Sequence, residues 1–124
     1  SDVLTLHSPL LPQTKNMISL PEFKKMKKKP ILINTARGGL VKEEDLVEAI
    51  EKGYISGAAF DVVTKEPIPD GHPFFKIIKR PDFILTPHVS WASMEAMQIL
   101  SNQLIDNIEN FVNGKPSNVV SGDF

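Results

Sequence analysis

Cysteine is absent from the 124-residue sequence. Its absence excludes disulfide bonds and thiolate metal sites, and we predict no metal site. Long apolar runs are also absent, because lysine, glutamate, aspartate or proline interrupts each of them, and this argues against a membrane-spanning helix. The first residues lack the basic lead-in and long apolar stretch of a signal peptide. These features predict a cytoplasmic protein with no membrane partner.

An excess of charge of either sign is missing as well, since 14 basic residues face 15 acidic ones and the net charge is −1. Long-range attraction to nucleic acid then has little support, so we predict no nucleic-acid partner. One basic run occupies residues 24–29. It is either a phosphate-binding patch or the solvated end of a short helix, and we favour the helix end because cations suit a helix C-terminus.

Short apolar runs alternate with amphipathic stretches along the chain, which predicts strands alternating with helices. Such an order is typical of parallel crossover units, so the predicted fold class is α/β with a parallel sheet. A chain of 124 residues has room for one domain. The predicted strands cover residues 2–7, 30–34, 55–62 and 82–86, and the predicted helices cover residues 21–26, 43–52 and 92–113.

Chemically distinctive residues follow the predicted strands. Catalytic groups of α/β proteins collect at the carboxyl ends of parallel strands, and here those ends carry residues 8–9, residues 34–37, Asp61 and His88. Gly38 and Gly39 follow as a predicted turn that lets the backbone approach a ligand closely. We therefore expect one edge of the sheet to hold the functional groups.

Arg37, Glu66 and His88 are the candidate catalytic residues. A guanidinium can bind a carboxylate through two parallel hydrogen bonds, and a carboxylate beside an imidazole favours its protonated form. Each residue alone also has a structural interpretation, namely an ion pair for Arg37, a solvated loop carboxylate for Glu66 and a structural imidazole for His88. Only the combination suits redox chemistry at carbon 2 of a hydroxy acid. We expect no catalytic role for His7 or His72.

Three segments carry a resemblance to a known family. Residues 33–41 (INTARGGLV), residues 57–67 with Asp61 and Glu66, and residues 86–93 (TPHVSWAS) resemble, in order and spacing, the signatures of D-2-hydroxyacid dehydrogenases. Residues 2–14 resemble the strand and loop that precede these signatures. The continuation from Trp91 to Ser93 is most similar to glycerate dehydrogenases that reduce hydroxypyruvate.

The resemblance implies an oxidoreductase that transfers hydride between NAD(P)H and a 2-oxo acid. In it, Arg37 binds the substrate carboxylate, His88 is the acid/base and Glu66 pairs with His88. NAD is the expected cofactor, and NADP is not excluded. The implied cofactor-binding residues are Pro9, Thr14, Thr35, Ala36, Asp61 and Ser90.

The sequence lacks the Gly-x-Gly-x-x-Gly turn of a dinucleotide site, which the family carries farther upstream. We therefore expect residues 1–113 to form the C-terminal portion of an NAD-binding domain, a partial Rossmann-like parallel sheet with a long C-terminal helix. Residues 114–124 are expected to return toward a substrate domain outside this chain. We expect this chain alone to be inactive and to self-associate through exposed apolar surface, and the longer parent protein to be a homodimer.

Two alternatives stay open at this point. The first is a non-catalytic NAD(H)-binding protein on the same scaffold, similar to dehydrogenase-like transcriptional co-repressors. The second is an unrelated α/β module in which Arg37, Glu66 and His88 never meet.

Overall fold

The computed structural model describes residues 1–120, which fall into two compact units, one of residues 1–89 and one that begins at Ser90. The first unit contains a four-stranded sheet with two α-helices and two short 3₁₀ turns. Its elements are β1 (Val3–Leu6), α1 (Leu20–Lys25), β2 (Ile31–Asn34), a 3₁₀ turn (Gly38–Leu40), α2 (Glu43–Glu51), β3 (Gly57–Phe60), a second 3₁₀ turn (Pro73–Lys76) and β4 (Phe83–Leu85).

The four strands are all parallel and lie in the order β1-β2-β3-β4. The register places Leu6 beside Asn34 and Asn34 beside Phe60, so the strand ends are level. The carboxyl ends of all strands therefore meet at one edge of the sheet. This arrangement confirms the predicted α/β class and the partial Rossmann-like sheet.

The hydrophobic core lies on one face of the sheet. Alternate strand residues such as Leu32, Phe60 and Phe83 point to this face and are at most 4% exposed. Phe74 from the second 3₁₀ turn packs edge-on against Phe60 and Phe83, with ring centroids 5.4 and 5.0 Å apart. α1 and α2 pack on the same core through Phe23 and buried α2 residues. Burial of these aliphatic and aromatic side chains is the main stabilising contribution of this unit.

The opposite face of the sheet exposes apolar side chains. Val3, Ile31 and Ile84 lie on this face, which we call the open sheet face, and they are 51%, 43% and 60% exposed. Parallel sheets are normally covered on both faces, which is why their strands are apolar runs rather than alternating ones. Within the first unit, the described helices cover only the other face.

The helices begin and end where capping chemistry permits. Ser19 and Glu22 form a capping box at the start of α1, and the backbone N–H of Leu20 donates to Asp45 Oδ2 at 2.8 Å, which links α1 to α2. Lys24 and Lys25 lie exposed in the last turn of α1, as expected for a solvated helix end, and the other lysines of the basic run follow the helix as exposed residues 27–29.

The second unit contains α3 (Met94–Val112), which begins two residues later than predicted. Ser93 accepts a hydrogen bond from the N–H of Ala96 at 3.1 Å and so caps the helix, which keeps residues 92–93 outside it. An apolar stripe runs along α3, and its members Ile99, Leu104 and Ile108 are each more than half exposed in the described chain. No helix among the described residues combines the length and the hydropathy that crossing a membrane requires.

The strands are shorter than the apolar runs that predicted them. Pro30 has no N–H for the ladder, so β2 begins at Ile31. Ile55 is buried in the loop before β3, and Asp61 and Val62 leave the strand after Phe60 while staying buried. The predicted turn at Gly38 forms a 3₁₀ turn through Leu40. Residues 121–124 of the predicted tail lie outside the described residues.

Candidate active site at the carboxyl edge of the sheet

His88 and Glu66 form a hydrogen bond at the edge where the strands end. Nδ1 of His88 lies 2.7 Å from Oε2 of Glu66, and the second oxygen of Glu66 accepts the N–H of Val63 at 3.1 Å. The hydrogen bond from His88 lowers the pKa of Glu66, with smaller contributions from the Val63 N–H and from the charge of His88, against partial desolvation and Asp61. Glu66 is therefore a carboxylate around neutral pH, suited to stabilise an imidazolium.

The backbone at His88 is held in a rarely occupied conformation. Its φ is 56°, in the left-handed region that residues other than glycine, asparagine, aspartate and histidine seldom adopt. Asp61, only 4% exposed, clamps the turn on both sides, because its Oδ1 accepts the hydroxyl of Thr86 at 2.5 Å and the N–H of Val89 at 2.9 Å. This clamp directs the imidazole toward Glu66.

Arg37 is positioned by a buried asparagine at the end of β2. Nδ2 of Asn34 donates to the carbonyl of Arg37 at 2.9 Å, and Oδ1 of Asn34 accepts the N–H of Ala36 at 3.1 Å. Asn34 is fully buried, so these bonds hold the backbone before the exposed guanidinium. Nη1 of Arg37 donates to the carbonyl of Ala36 at 2.7 Å.

Gly38 brings the arginine segment against the loop that carries Glu66. A Cβ at Gly38 would lie 2.0 Å from the carbonyl carbon of Val63 and 2.3 Å from the nitrogen of Thr64, so only glycine permits this contact between two backbones. The approach places Arg37 and the Glu66 loop side by side.

Two cavities meet at Glu66 and His88. Arg37, Glu66 and His88 all line a groove of about 350 Å³, which we call the arginine groove. A larger cleft of about 600 Å³, which we call the apolar cleft, has Glu66, His88 and Asp61 in its wall beside mainly apolar side chains. The apolar side chains of this cleft are those of Val62, Val63, Pro67, Ile68, Leu85 and Pro87. The imidazole of His88 and the carboxylate of Glu66 are thus shared by a groove that holds the guanidinium of Arg37 and by an apolar cleft.

The other predicted cofactor residues lie outside the lining of these two cavities. The hydroxyl of Thr14 donates to the carbonyl of Pro9 at 2.7 Å and closes the loop after β1. Thr35 is exposed and Ala36 is partly buried in the short segment after β2. Ser90 is the first residue of the second unit and is exposed.

Several supporting residues escaped the sequence analysis. Asn34 carried a usable signal, because a polar residue that ends a buried apolar run needs hydrogen-bond partners. Thr86 precedes Pro87 directly, but nothing in the sequence pairs it with Asp61, 25 residues away. Contacts of this kind depend on the register of β3 and β4, which the sequence does not show.

Comparisons with known proteins agree with this geometry. Residues 1–90 match the family model described as D-isomer specific 2-hydroxyacid dehydrogenase, NAD binding domain. Glycerate dehydrogenase of Methylorubrum extorquens is 60% identical over 97% of this chain and 38% of its own length. Hydroxypyruvate reductase of Blautia hydrogenotrophica is 40% identical over 98% of this chain and 37% of its own length. The chain thus spans under two fifths of these relatives.

Solved structures show the same fold. A D-isomer specific 2-hydroxyacid dehydrogenase from Lactobacillus delbrueckii ssp. bulgaricus in an NAD complex has a TM-score of 0.85 at 29% identity, covering 98% of this chain and 40% of that one. D-lactate dehydrogenase with NAD⁺ from Lactobacillus jensenii has a TM-score of 0.86 at 30% identity, covering 99% and 40%. The alternative of an unrelated α/β module is wrong, since Glu66 and His88 meet and the family matches. The chain belongs to the NAD-binding domain of the D-isomer specific 2-hydroxyacid dehydrogenases, as its three signature segments predicted.

Proposed function

We propose that this chain supplies the acid/base and substrate-binding groups of a longer enzyme that reduces a 2-oxo acid, hydroxypyruvate, to the D-2-hydroxy acid, D-glycerate, with NAD(P)H. One observation carries the proposal: Arg37, Glu66 and His88 line the same groove. Relatives named glycerate dehydrogenase and hydroxypyruvate reductase support the substrate. Reduction of hydroxypyruvate by the full-length protein with NADH, and separately with NADPH, tests it.

Arg37 and His88 act on different groups of the substrate. The guanidinium of Arg37 binds the substrate carboxylate and so places the neighbouring carbonyl beside His88. The imidazolium of His88 donates its proton to the carbonyl oxygen as the carbonyl carbon is reduced, and in the reverse direction the neutral imidazole removes the hydroxyl proton. Glu66 stabilises the imidazolium between these events.

The apolar cleft fits a nicotinamide ring. Its apolar side chains provide a surface for an aromatic ring, and the carboxylate of Asp61 lies in the same wall as an acceptor for a carboxamide. A bound nicotinamide cofactor supplies the hydride. We propose that Asp61 orients its ring and that Pro9, Thr14, Thr35, Ala36 and Ser90 contact the rest of the cofactor.

Replacement of Glu66 by Gln shifts the pH dependence of turnover toward acid. Oε2 of Glu66 lies 2.7 Å from Nδ1 of His88, and this hydrogen bond lowers the pKa of Glu66. Without the carboxylate, the imidazolium of His88 gives up its proton at lower pH. As the pH is raised, the rate of reduction should therefore begin to fall at a lower pH than in the wild type, and the rate of oxidation should begin to rise at a lower pH. The profiles of kcat/KM against pH in both directions measure this. A profile identical to that of the wild type would refute the assigned pairing.

We propose that the chain alone is inactive and that residues 1–113 act as the C-terminal portion of an NAD-binding domain, with residues 114–124 leading toward a substrate domain. The basis is that the chain covers under two fifths of its two relatives and has no Gly-x-Gly-x-x-Gly turn. Should the full-length protein bind NADH but reduce no 2-oxo acid, the non-catalytic co-repressor-like function replaces this one.

The isolated 124-residue chain is expected to self-associate. The open sheet face and the exposed apolar stripe of α3 present apolar surface whose burial in an oligomer is favourable. Sedimentation of the chain across a range of concentrations should show species larger than a monomer. A clean monomer at high concentration contradicts the expectation. For the longer protein we propose a homodimer.

A further inference from the structure

A buried carboxylate–imidazole pair lies outside the two cavities of the proposed active site. Glu43 is the first residue of α2 and is 8% exposed, and His72 precedes the second 3₁₀ turn and is 7% exposed. Oε2 of Glu43 lies 3.0 Å from Nε2 of His72. The chemistry proposed above uses neither residue.

The hydrogen bonds determine which nitrogen of His72 carries the proton. The backbone N–H of Phe74 donates to Nδ1 of His72 at 3.2 Å, so Nδ1 acts as an acceptor. The proton then resides on Nε2, which donates to Glu43. The remaining oxygen of Glu43, Oε1, accepts the backbone N–H of Thr64 at 2.7 Å. Each carboxylate oxygen of this buried residue therefore holds a different segment of the chain.

Thr64 belongs to the loop that presents Glu66. The side chains of residues 64–67 are exposed, so packing contributes little to the position of this loop. Its Val63–Thr64 peptide is instead clamped, with Gly38 in backbone contact on one side and Glu43 bonded to the Thr64 N–H. Glu66 follows two residues later and closes the loop through the Val63 N–H.

We propose that Glu43 and His72 are positioning residues for the reaction: His72 orients the carboxylate of Glu43, which anchors Thr64 and thereby holds Glu66 in hydrogen-bond reach of His88. This inference rests on the proposed function for its kinetic consequence, and on geometry alone for its structural one. A misplaced Glu66 loses its hydrogen bond to His88 and lowers turnover. Asp61, which we propose orients the nicotinamide ring, keeps its own hydrogen bonds to Thr86 and Val89.

Two substitutions of His72 separate its hydrogen bond to Glu43 from its hydrogen bond with the N–H of Phe74. Gln places an amide donor near the position of Nε2, so His72→Gln keeps the bond to Glu43 and loses the acceptor for the Phe74 N–H. Asn places an acceptor near Nδ1, so His72→Asn keeps the bond from the Phe74 N–H and leaves Glu43 without its donor. His72→Asn leaves a buried carboxylate oxygen without its donor, so it is expected to lose more thermal stability than His72→Gln, and the kinetics of both variants are compared well below their unfolding temperatures.

In the full-length protein, His72→Asn is expected to lower kcat for hydroxypyruvate by roughly tenfold, with the KM for NADH unchanged, because small displacements of catalytic groups have effects of this size or larger. His72→Gln is expected to retain the wild-type kcat. In a Glu66→Gln background, His72→Asn should add little further loss, since it acts through Glu66. Equal kcat losses in the two single variants, or an undiminished loss in the double variant, overturn the proposal.

Amide and imidazole proton exchange measured by NMR gives a readout that needs no activity. In the wild-type protein, the Thr64 amide should exchange slowly despite its exposed loop. In His72→Asn, this amide and the ring proton shared by His88 and Glu66 should both exchange faster. In His72→Gln, neither exchange rate should rise. Fast exchange of the Thr64 amide in the wild-type protein overturns the proposal even if His72→Asn does not fold. A wild-type protein that reduces no 2-oxo acid refutes the proposed function, while these exchange rates still test whether Glu43 and His72 hold the loop at Thr64.

Discussion

Replacement of His88 by Ala is expected to lower kcat/KM for hydroxypyruvate by about 10²- to 10⁴-fold, the usual contribution of a positioned acid/base. The carbonyl oxygen gains negative charge as the carbon is reduced, and without His88 only water provides the proton. Glu66 does not replace it, because a carboxyl group at its ordinary pKa of 4.5 is ionised near neutral pH even without the hydrogen bond from His88. Steady-state kinetics of the full-length protein with NADH measure the effect.

His7→Ala is the matched control for this variant. His7 is also an exposed histidine following a strand of the sheet, and its ring nitrogen bonds only locally, to the hydroxyl of Thr5 at 2.9 Å. We expect its kcat/KM to stay at the wild-type level. If His88→Ala retained comparable activity, the acid/base role would belong to another group.

Replacement of Arg37 by Ala is expected to lower kcat/KM by at least about 10²-fold, since each charge-assisted hydrogen bond to a buried carboxylate contributes about 1.5–3 kcal/mol. The loss should appear largely in the KM for the 2-oxo acid, with a fall in kcat because the carbonyl is no longer held beside His88. Arg37→Lys should recover only part of the loss, because an ammonium does not form the parallel pair of bonds.

Arg80→Ala controls for the loss of a guanidinium. Arg80 forms a two-point ion pair with Asp82, with both distances 2.8 Å, on the surface of the first unit. Arg80 lines neither the arginine groove nor the apolar cleft, so kinetics close to wild type are expected. An Arg37→Ala enzyme with an unchanged KM for the 2-oxo acid would show that the substrate carboxylate binds elsewhere.

The meeting of Arg37, Glu66 and His88 at one edge of the sheet was predictable from the sequence because a simple rule governs it. Short apolar runs indicated buried parallel strands, and the carboxyl ends of such strands meet at one edge. Arg37, Glu66 and His88 all follow strands, so their convergence needed only the correct strand order. The signature segments around them supplied that order through the family.

The supporting contacts were not predictable, because they depend on register and loop geometry. The sequence placed Glu43 at the start of a predicted helix and assigned His72 no catalytic role, yet the two form a buried pair across 29 residues. The left-handed backbone of His88 and the clamp from Asp61 likewise have no periodicity that a sequence pattern can report. Such contacts become visible only when loops from different strands pack together.

A crystal structure of the full-length protein with NADH and an unreactive analogue of a 2-oxo acid tests most directly whether these groups act on one substrate molecule. The expected result has the analogue carboxylate paired with Arg37 and its carbonyl oxygen within hydrogen-bond distance of His88, whose other ring nitrogen stays on Glu66. The nicotinamide ring should face the carbonyl carbon from the apolar cleft. An analogue bound away from Arg37, or an imidazole turned away from both Glu66 and the carbonyl, would contradict the proposed chemistry.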